Sequence, residues 1–212
     1  MRVAALVPFK CFTRAKRRLR ARYSDREVEE IGRAMLGDVL KALAETENLE
    51  SVTVLTDDTA VAEVARGAEA SVRLRHPDPG LNPAIEEATR ELIGAGFDAS
   101  LVVLGDLPLL RGEDVDGVIR AGRKHAVVLV PSSDGGTALL FRRPPGCIPP
   151  CFGPESARAH AAAARSQGFE PFCPAKLHEA VTLDLDTPED AQRVLESERP
   201  CRTRELLRRF GA

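Results

Sequence analysis

Apolar residues along this chain recur with two periods, and the alternation between them predicts the architecture. Arg2 to Val7 is an apolar, β-prone run that Pro8 ends. Val28, Ile31, Met35, Val39 and Leu43 then recur at helical spacing, which predicts a helix over 25–46. Ser24, with Glu27 three residues on, supplies its capping box. Ser51 to Thr56 reads as a second strand, stopped by Asp57-Asp58, and a short alanine-rich helix and a small strand, Ala70 to Leu74, follow. After a proline-punctuated loop from His76 to Gly80, Asn82 at N-cap and Pro83 at N1 predict a helix to about Gly94. Ser100 to Leu104 is almost uninterruptedly apolar, as strands covered on both faces are. It ends in the turn Gly105-Asp106-Leu107-Pro108. A helix over Glu113 to Lys124, a strand over Ala126 to Val130, a helix over Pro154 to Gln167 and a strand over Val181 to Leu185 come next. Thr187 caps a further helix that begins at Pro188, and a short basic tail runs from Cys201 to Phe210.

Strand and helix alternating at this rhythm predict a mostly parallel α/β sheet. No repeat, low-complexity linker or composition break divides the chain, and 212 residues suit one domain over 1–212. The stretch between Thr137 and Gly168 breaks the alternation and is expected to form a small excursion over one edge of the sheet.

Composition adds limits. With 43% hydrophobic and 29% charged residues the chain can bury a core and keep a polar surface. It has no run of 18 apolar residues, so no membrane helix is expected, and MRVAALVPFK is too short and too soon basic for a signal peptide. Five cysteines without a CxxC pair favour thiols in a reducing cytoplasm over a disulfide framework or a zinc site. The net charge of −2 is unevenly spread. Lys10, Arg14, Lys16, Arg17, Arg18, Arg20 and Arg22 crowd residues 8–24, where there is no acid, and ask for an anionic partner.

In open α/β sheets ligands bind at the carboxyl ends of strands. The basic loop, Asp57, Asp106, the SSDGGT loop at 132–137 and the pair Asp184 and Asp186 all fall at such ends. Each has a plain alternative. Asp106 suits a surface turn, Asp186 suits a helix cap, and Asp134-Gly135-Gly136 suits a hairpin turn. Taken together they suggest more. Asp184 and Asp186 alternate, so both carboxylates point to one side of an extended chain. With Asp106 they would suit magnesium, which takes a few carboxylates and completes its shell with water and phosphate oxygens. Lys10 and Lys16 would meet nucleotide phosphates. Phe152-Gly153-Pro154-Glu155-Ser156, with Pro154 taken as N1, would present helix amides and the Ser156 hydroxyl to an anion. Neither the P-loop pattern nor the G-x-G-x-x-G fingerprint occurs. The basic loop also admits a nucleic-acid arm, although no motif of such a module accompanies it. The sum suits metal-assisted nucleotidyl transfer.

The order VPFK, AKRRL, AMLGDVL, LTDD, GLNPAI, LGDLPLL, DGGTALL, FGPESARAH and LDLDTPED resembles the 2-phospho-L-lactate and phosphoenolpyruvate guanylyltransferase family of coenzyme F-420 biosynthesis, over about residues 2 to 195. The resemblance implies a single-domain three-layer α/β/α nucleotidyltransferase fold of the GT-A-like kind. It implies GTP and Mg²⁺, and transfer of GMP to a small phosphorylated carboxylic acid. It makes Asp106, Asp184 and Asp186 metal ligands and gives catalysis to Asp106 and Lys16. Thr137, Gly153 and Ser156 would hold the acceptor. Lys10, Lys16 and Arg18 would meet the GTP phosphates, with Asn82 near the nucleoside. Neither nucleic acid nor membrane is an expected partner, and a homodimer is left open. One departure is Ala138, where many members carry asparagine after the loop threonine. It puts the acceptor in question among phosphoenolpyruvate, 2-phospho-L-lactate and 3-phosphoglycerate, with phosphoenolpyruvate preferred. A nucleotidyltransferase for a molybdopterin or sugar phosphate is the nearest rival.

Overall fold

A computed structural model describes residues 1–12, 16–74, 77–174 and 179–211. Arg14 of the basic loop and His76 lie outside them. One six-stranded sheet, in the order β3-β2-β1-β4-β6-β5, organises the chain. Its strands are β1 (Val3–Pro8), β2 (Ser51–Thr56), β3 (Ser71–Leu74), β4 (Ala99–Val103), β5 (Val127–Pro131) and β6 (Thr137–Arg142). β1 pairs in parallel with β2 and β4, and β2 with β3. β6 runs antiparallel between β4 and β5.

Seven helices cover the sheet among the described residues: α1 (Asp25–Ala44), α2 (Thr59–Gly67), α3 (Leu81–Gly94), α4 (Gly112–Gly122), α5 (Ser156–Ser166), α6 (Pro188–Glu196) and α7 (Arg202–Arg209). Val7, Leu101, Val103 and Phe141 meet α1, α2 and α4 on one face, whereas Leu6, Val102, Leu129 and Leu140 meet α3 and α5 on the other. This is the expected three-layer arrangement, set by the alternation of side chains along each strand. A third cluster joins Leu19, Ile31, Leu109, Leu185 and Leu207 and seats α6 and α7 beside α1.

The capping box at Ser24 and the N-cap at Thr187 form as expected, and at Thr187 Asp190 completes a box as Glu27 does at Ser24. Three expectations fail. Residues 137–142 are not part of an excursion: they form an interior strand, because the hairpin at Asp134-Gly135 turns the apolar run back between β4 and β5. Val181 to Leu185 is not a strand. Glu179–Thr182 is a 3-10 helix and 183–186 run on as extended chain outside the sheet, tied to it by the bond from Leu185 N to Asp106 O in place of a ladder. Asn82 is not an N-cap. The helix starts two residues earlier, at Leu81 after Gly80, whose φ of 90° suits a residue without a side chain.

Candidate active site

Lys16 stands at the centre of the strand-end rim. It follows β1 by eight residues in a left-handed backbone conformation, φ 56°, and precedes a short 3-10 helix, Arg17–Ala21. Its side chain is only 8% exposed, and its Nζ donates to Asp106 Oδ2 at 2.6 Å and also to Asp186 Oδ1. Burial would lower the ammonium pKa, but Asp106 and then Asp186 outweigh it and hold it above its ordinary value. Asp106 sits where β4 ends. Its backbone carbonyl accepts from Leu185 N at 3.1 Å, which brings the 183–186 segment to the rim. Its Oδ1 is buried without a hydrogen-bond partner among the described residues.

The alternation expected for Asp184 and Asp186 survives the loss of the strand. Leu183 and Leu185 are buried, while the two aspartates stay partly exposed on the other side of the extended chain. Burial, then the charges of Asp106, Asp134 and Asp186, push the Asp184 carboxyl up to about 6. Carboxylates gathered this closely call for a cation, and so does the orphaned Asp106 oxygen. Among the described residues, however, no three His, Cys, Asp or Glu side chains converge as a closed metal cage. A divalent cation held here would therefore draw part of its shell from water or phosphate oxygens.

Pro8, Lys10, Lys16, Leu81, Gly105 and Asp106 are among the residues lining a cavity of about 310 Å³ beside this cluster, a size at the lower end for small-molecule sites. Lys10 and Leu81 also line an adjoining recess with Thr56, Asp57, Arg73 and Asp78. Lys10 Nζ lies 3.5 Å from Asp78 Oδ2 at that mouth. The cavity approaches Asp106 closely because residue 105 is glycine: a Cβ there would fall 2.4 Å from the Phe9 ring.

The other expected contacts are placed differently. Asn82 is committed to Phe152, giving Nδ2 to its carbonyl at 3.0 Å and accepting from its amide at 2.8 Å, so it fastens the FGP loop to α3. Arg18 is exposed and acts electrostatically on Asp134 of the hairpin loop, which places it towards that loop. The hairpin's amides are largely spent within the protein: Ser132 on Gly136 O, Ser133 on Thr182 O, Gly135 on Ser132 O and Gly136 on Asp134 Oδ1. The FGP turn is similar. The helix begins at Ser156, after Glu155 at φ 54°, because the Ser156 and Ala157 amides go to the carbonyls of Gly153 and Gly135. Pro154 is therefore not N1. Gly153 adopts φ 145°, beside open space.

Thr137 and Ser156 do come together, each 1% exposed, with Ser156 Oγ 3.0 Å from Thr137 Oγ1. The third member of this group is His160, fully buried, whose Nδ1 lies 3.0 Å from Thr137 Oγ1 and whose Nε2 accepts from Cys151 N at 2.8 Å. Sequence reasoning quoted His160 inside FGPESARAH without giving it a role. The available signal was its spacing of four from Ser156, which puts both on one helix face. Ala138 belongs to the core cluster of Val7, Phe9 and Leu107, so its side chain points away from the Thr137 face.

Comparison with known proteins places the chain in a family. The family model described as guanylyl transferase CofC like matches residues 3–212. A phosphoenolpyruvate guanylyltransferase of Sphaerobacter thermophilus is 33% identical over 195 residues, covering 91% of this chain and 92% of that protein. A 3-phospho-D-glycerate guanylyltransferase of Phenylobacterium zucineum is 39% identical over 200 residues, covering 91% and 89%. Among solved structures, a putative nucleotide-diphospho-sugar transferase from Desulfovibrio desulfuricans G20 superposes with a TM-score of 0.78 at 18% identity, over 99% of this chain and 95% of that one. The chain belongs to the CofC-like guanylyl transferase family.

Proposed function

We propose that this guanylyltransferase moves GMP from GTP onto phosphoenolpyruvate, releasing pyrophosphate, within coenzyme F-420 biosynthesis. The observation that carries the reading is the Lys16 ammonium held between Asp106 and Asp186 at the mouth of the rim cavity. The acceptor's phosphate oxygen attacks the α-phosphorus, the bond from that phosphorus to the bridging oxygen breaks, and pyrophosphate departs. No protein base is required, because a phosphomonoester with a second pKa of about 6 is largely dianionic at neutral pH. What remains for the protein is positioning and charge neutralisation.

Lys16, with Lys10 at the recess, offers the cations for the triphosphate. Asp106 and Asp184, with Asp186 beside them, would hold Mg²⁺, which supplies Lewis-acid stabilisation of phosphoryl charge when bound. The nucleoside would lie in the recess lined by Thr56, Asp57 and Arg73. The acceptor would lie by Thr137, Ser156 and Gly153, with Arg18 and Ser133 near the hairpin. Both residues are covered, so acceptor binding there requires a local opening around the two hydroxyls. Glu155 leans on this hairpin: a Cβ on Gly135 would come 3.0 Å from its Oε1. An incoming anion would displace that carboxylate.

Phosphoenolpyruvate, like 2-phospho-L-lactate, brings a phosphate, a carboxylate and no free hydroxyl, which suits a site whose side chains offer hydroxyl donors better than 3-phosphoglycerate does. Between those two, the naming of the Sphaerobacter relative supports phosphoenolpyruvate. The test is pyrophosphate release with GTP or ATP against phosphoenolpyruvate, 2-phospho-L-lactate and 3-phosphoglycerate. GTP with phosphoenolpyruvate is expected to give the highest kcat/KM. Faster turnover with either other acceptor overturns the assignment.

A further inference from the structure

Thr137, Ser156 and His160 form a hydrogen-bonded group of side chains with one hydroxyl proton left over. The Cys151 amide is an obligate donor, and it points at His160 Nε2 from 2.8 Å. Nε2 must therefore be the bare nitrogen, which leaves the proton on Nδ1. A doubly protonated ring would set two N–H groups against each other. Burial, then Arg142, also press His160 towards neutrality, holding its pKa down to about 4 against a weaker opposing pull from the Ser156 carbonyl. Nδ1–H is therefore the donor towards Thr137 Oγ1, 3.0 Å away, with the Ser156 carbonyl as a second acceptor. The two hydroxyls own two protons and share one bond between them, at 3.0 Å. One hydroxyl proton is left without a partner in the group, and its surroundings are closed to water, since Thr137 and Ser156 are each 1% exposed.

We propose that His160 is a positioning residue for the acceptor substrate: its Nδ1–H occupies a lone pair of Thr137, so that the Thr137–Ser156 pair must present one donated hydroxyl proton to an anionic oxygen of the acceptor. The inference rests on the reading that the acceptor lies by Thr137 and Ser156. Without the histidine that lone pair of Thr137 loses its donor, and the hydroxyl pair is no longer held in the orientation that faces the acceptor. A carboxylate accepts the presented proton; a neutral hydroxyl of a wrong ligand gains less from it, since hydrogen bonds to charged groups are the stronger ones.

Steady-state kinetics on three variants, with phosphoenolpyruvate and GTP varied in turn, tests this. Thr137→Val should raise the acceptor KM about ten- to a hundredfold, the loss of one hydrogen bond to a charged group, and leave the GTP KM within about twofold. An unchanged acceptor KM in that variant refutes the site reading itself. His160→Leu should raise the acceptor KM in the same way, and His160→Asn, whose amide can still donate to Thr137, should recover part of it. In the double variant His160→Leu should add nothing to Thr137→Val. If Thr137→Val raises the acceptor KM but His160→Leu does not, or moves both KM values alike with no recovery by asparagine, only the histidine proposal falls. Should His160→Leu fail to fold, nitrogen NMR of the wild-type imidazole decides: an Nδ1–H tautomer between pH 5.5 and 8 is expected, and an Nε2–H tautomer or a charged ring overturns the proposal.

Discussion

Lys16 and Asp106, ninety positions apart, meet at 2.6 Å, and the same ammonium also holds Asp186. One buried cation thus gathers the ends of β1 and β4 and the chain before α6. The carboxylates beside it would repel one another without it. Lys16→Ala should therefore reduce pyrophosphate release at least about hundredfold, because a point charge on the phosphates is lost. It should also lower Tm by several degrees at pH 8, given that about 1 kcal/mol moves Tm by about 2–4 °C in a chain of this size. Added Mg²⁺ should restore part of that Tm in the variant and have a smaller effect on the wild type. Thermal melts with and without Mg²⁺ check it, and equal shifts in both proteins would count against a shared cation site.

Glycine matters at 105 for a reason that 37 lacks. A Cβ on Gly105 would sit 2.4 Å from the Phe9 ring, whereas one on Gly37 in α1 meets nothing within 4 Å. Gly105→Ala must push Phe9 aside at the cavity wall. We expect a loss of about 1–3 kcal/mol, typical of overpacking, together with a raised KM for GTP. Gly37→Ala should stabilise by about 0.5–1 kcal/mol through helix propensity and leave KM alone. Denaturant melts of the two variants separate the cases.

These contrasts show where the sequence was informative. Helix starts marked by a side chain were legible, as at Ser24 and Thr187, because a cap is a local interaction between residues three apart. The rim carboxylates were legible too, since strand ends follow from apolar runs and alternation fixes the side on which Asp184 and Asp186 emerge. What failed depended on distant partners. Leu139 to Arg142 became an interior strand only because β4 and β5 accept it from both sides, which nothing within 137–168 reveals. Val181 to Leu185 shows a strand's alternation, yet its apolar side chains pack on two core clusters without a ladder. Asn82 and His160 each bond to the backbone of 151–152, a segment whose course cannot be read from composition.

Asp184 carries a cost that function explains. Its pKa is raised from 3.8 to about 6. The folded state therefore favours the protonated form, and the stabilisation this gives is full below about pH 3.8 and lost as pH rises through about 6. At pH 8 the ionised carboxylate is a burden that Asp184→Asn removes. Part of the side chain remains exposed, so solvent screening reduces the gain to about 1 kcal/mol, or about 2–4 °C in Tm. The same variant should lose nearly all Mg²⁺-dependent pyrophosphate release. A Tm unchanged or lowered at pH 8 would show that the neighbouring charges do not press on this carboxyl.

His160 titrates with the opposite consequence. Its pKa falls from 6.5 to about 4 in the fold, so the unfolded chain takes up a proton first as the medium is acidified. The stabilisation belonging to the neutral ring is whole above about pH 6.5 and drains away as pH drops towards 4. Between these limits Asp184 gains what His160 loses, and the wild-type stability curve should be flatter there than either residue alone would make it. Two variants resolve the pair. Asp184→Asn should steepen the acid loss between pH 6.5 and 4, since Asp184 then no longer offsets the histidine in that range. His160→Asn should be weaker than wild type at pH 7.5 and should become relatively more stable as pH falls. Urea melts at half-unit steps measure both slopes, and parallel curves for wild type and His160→Asn would mean that the ring is not held neutral by the Cys151 amide and its buried setting.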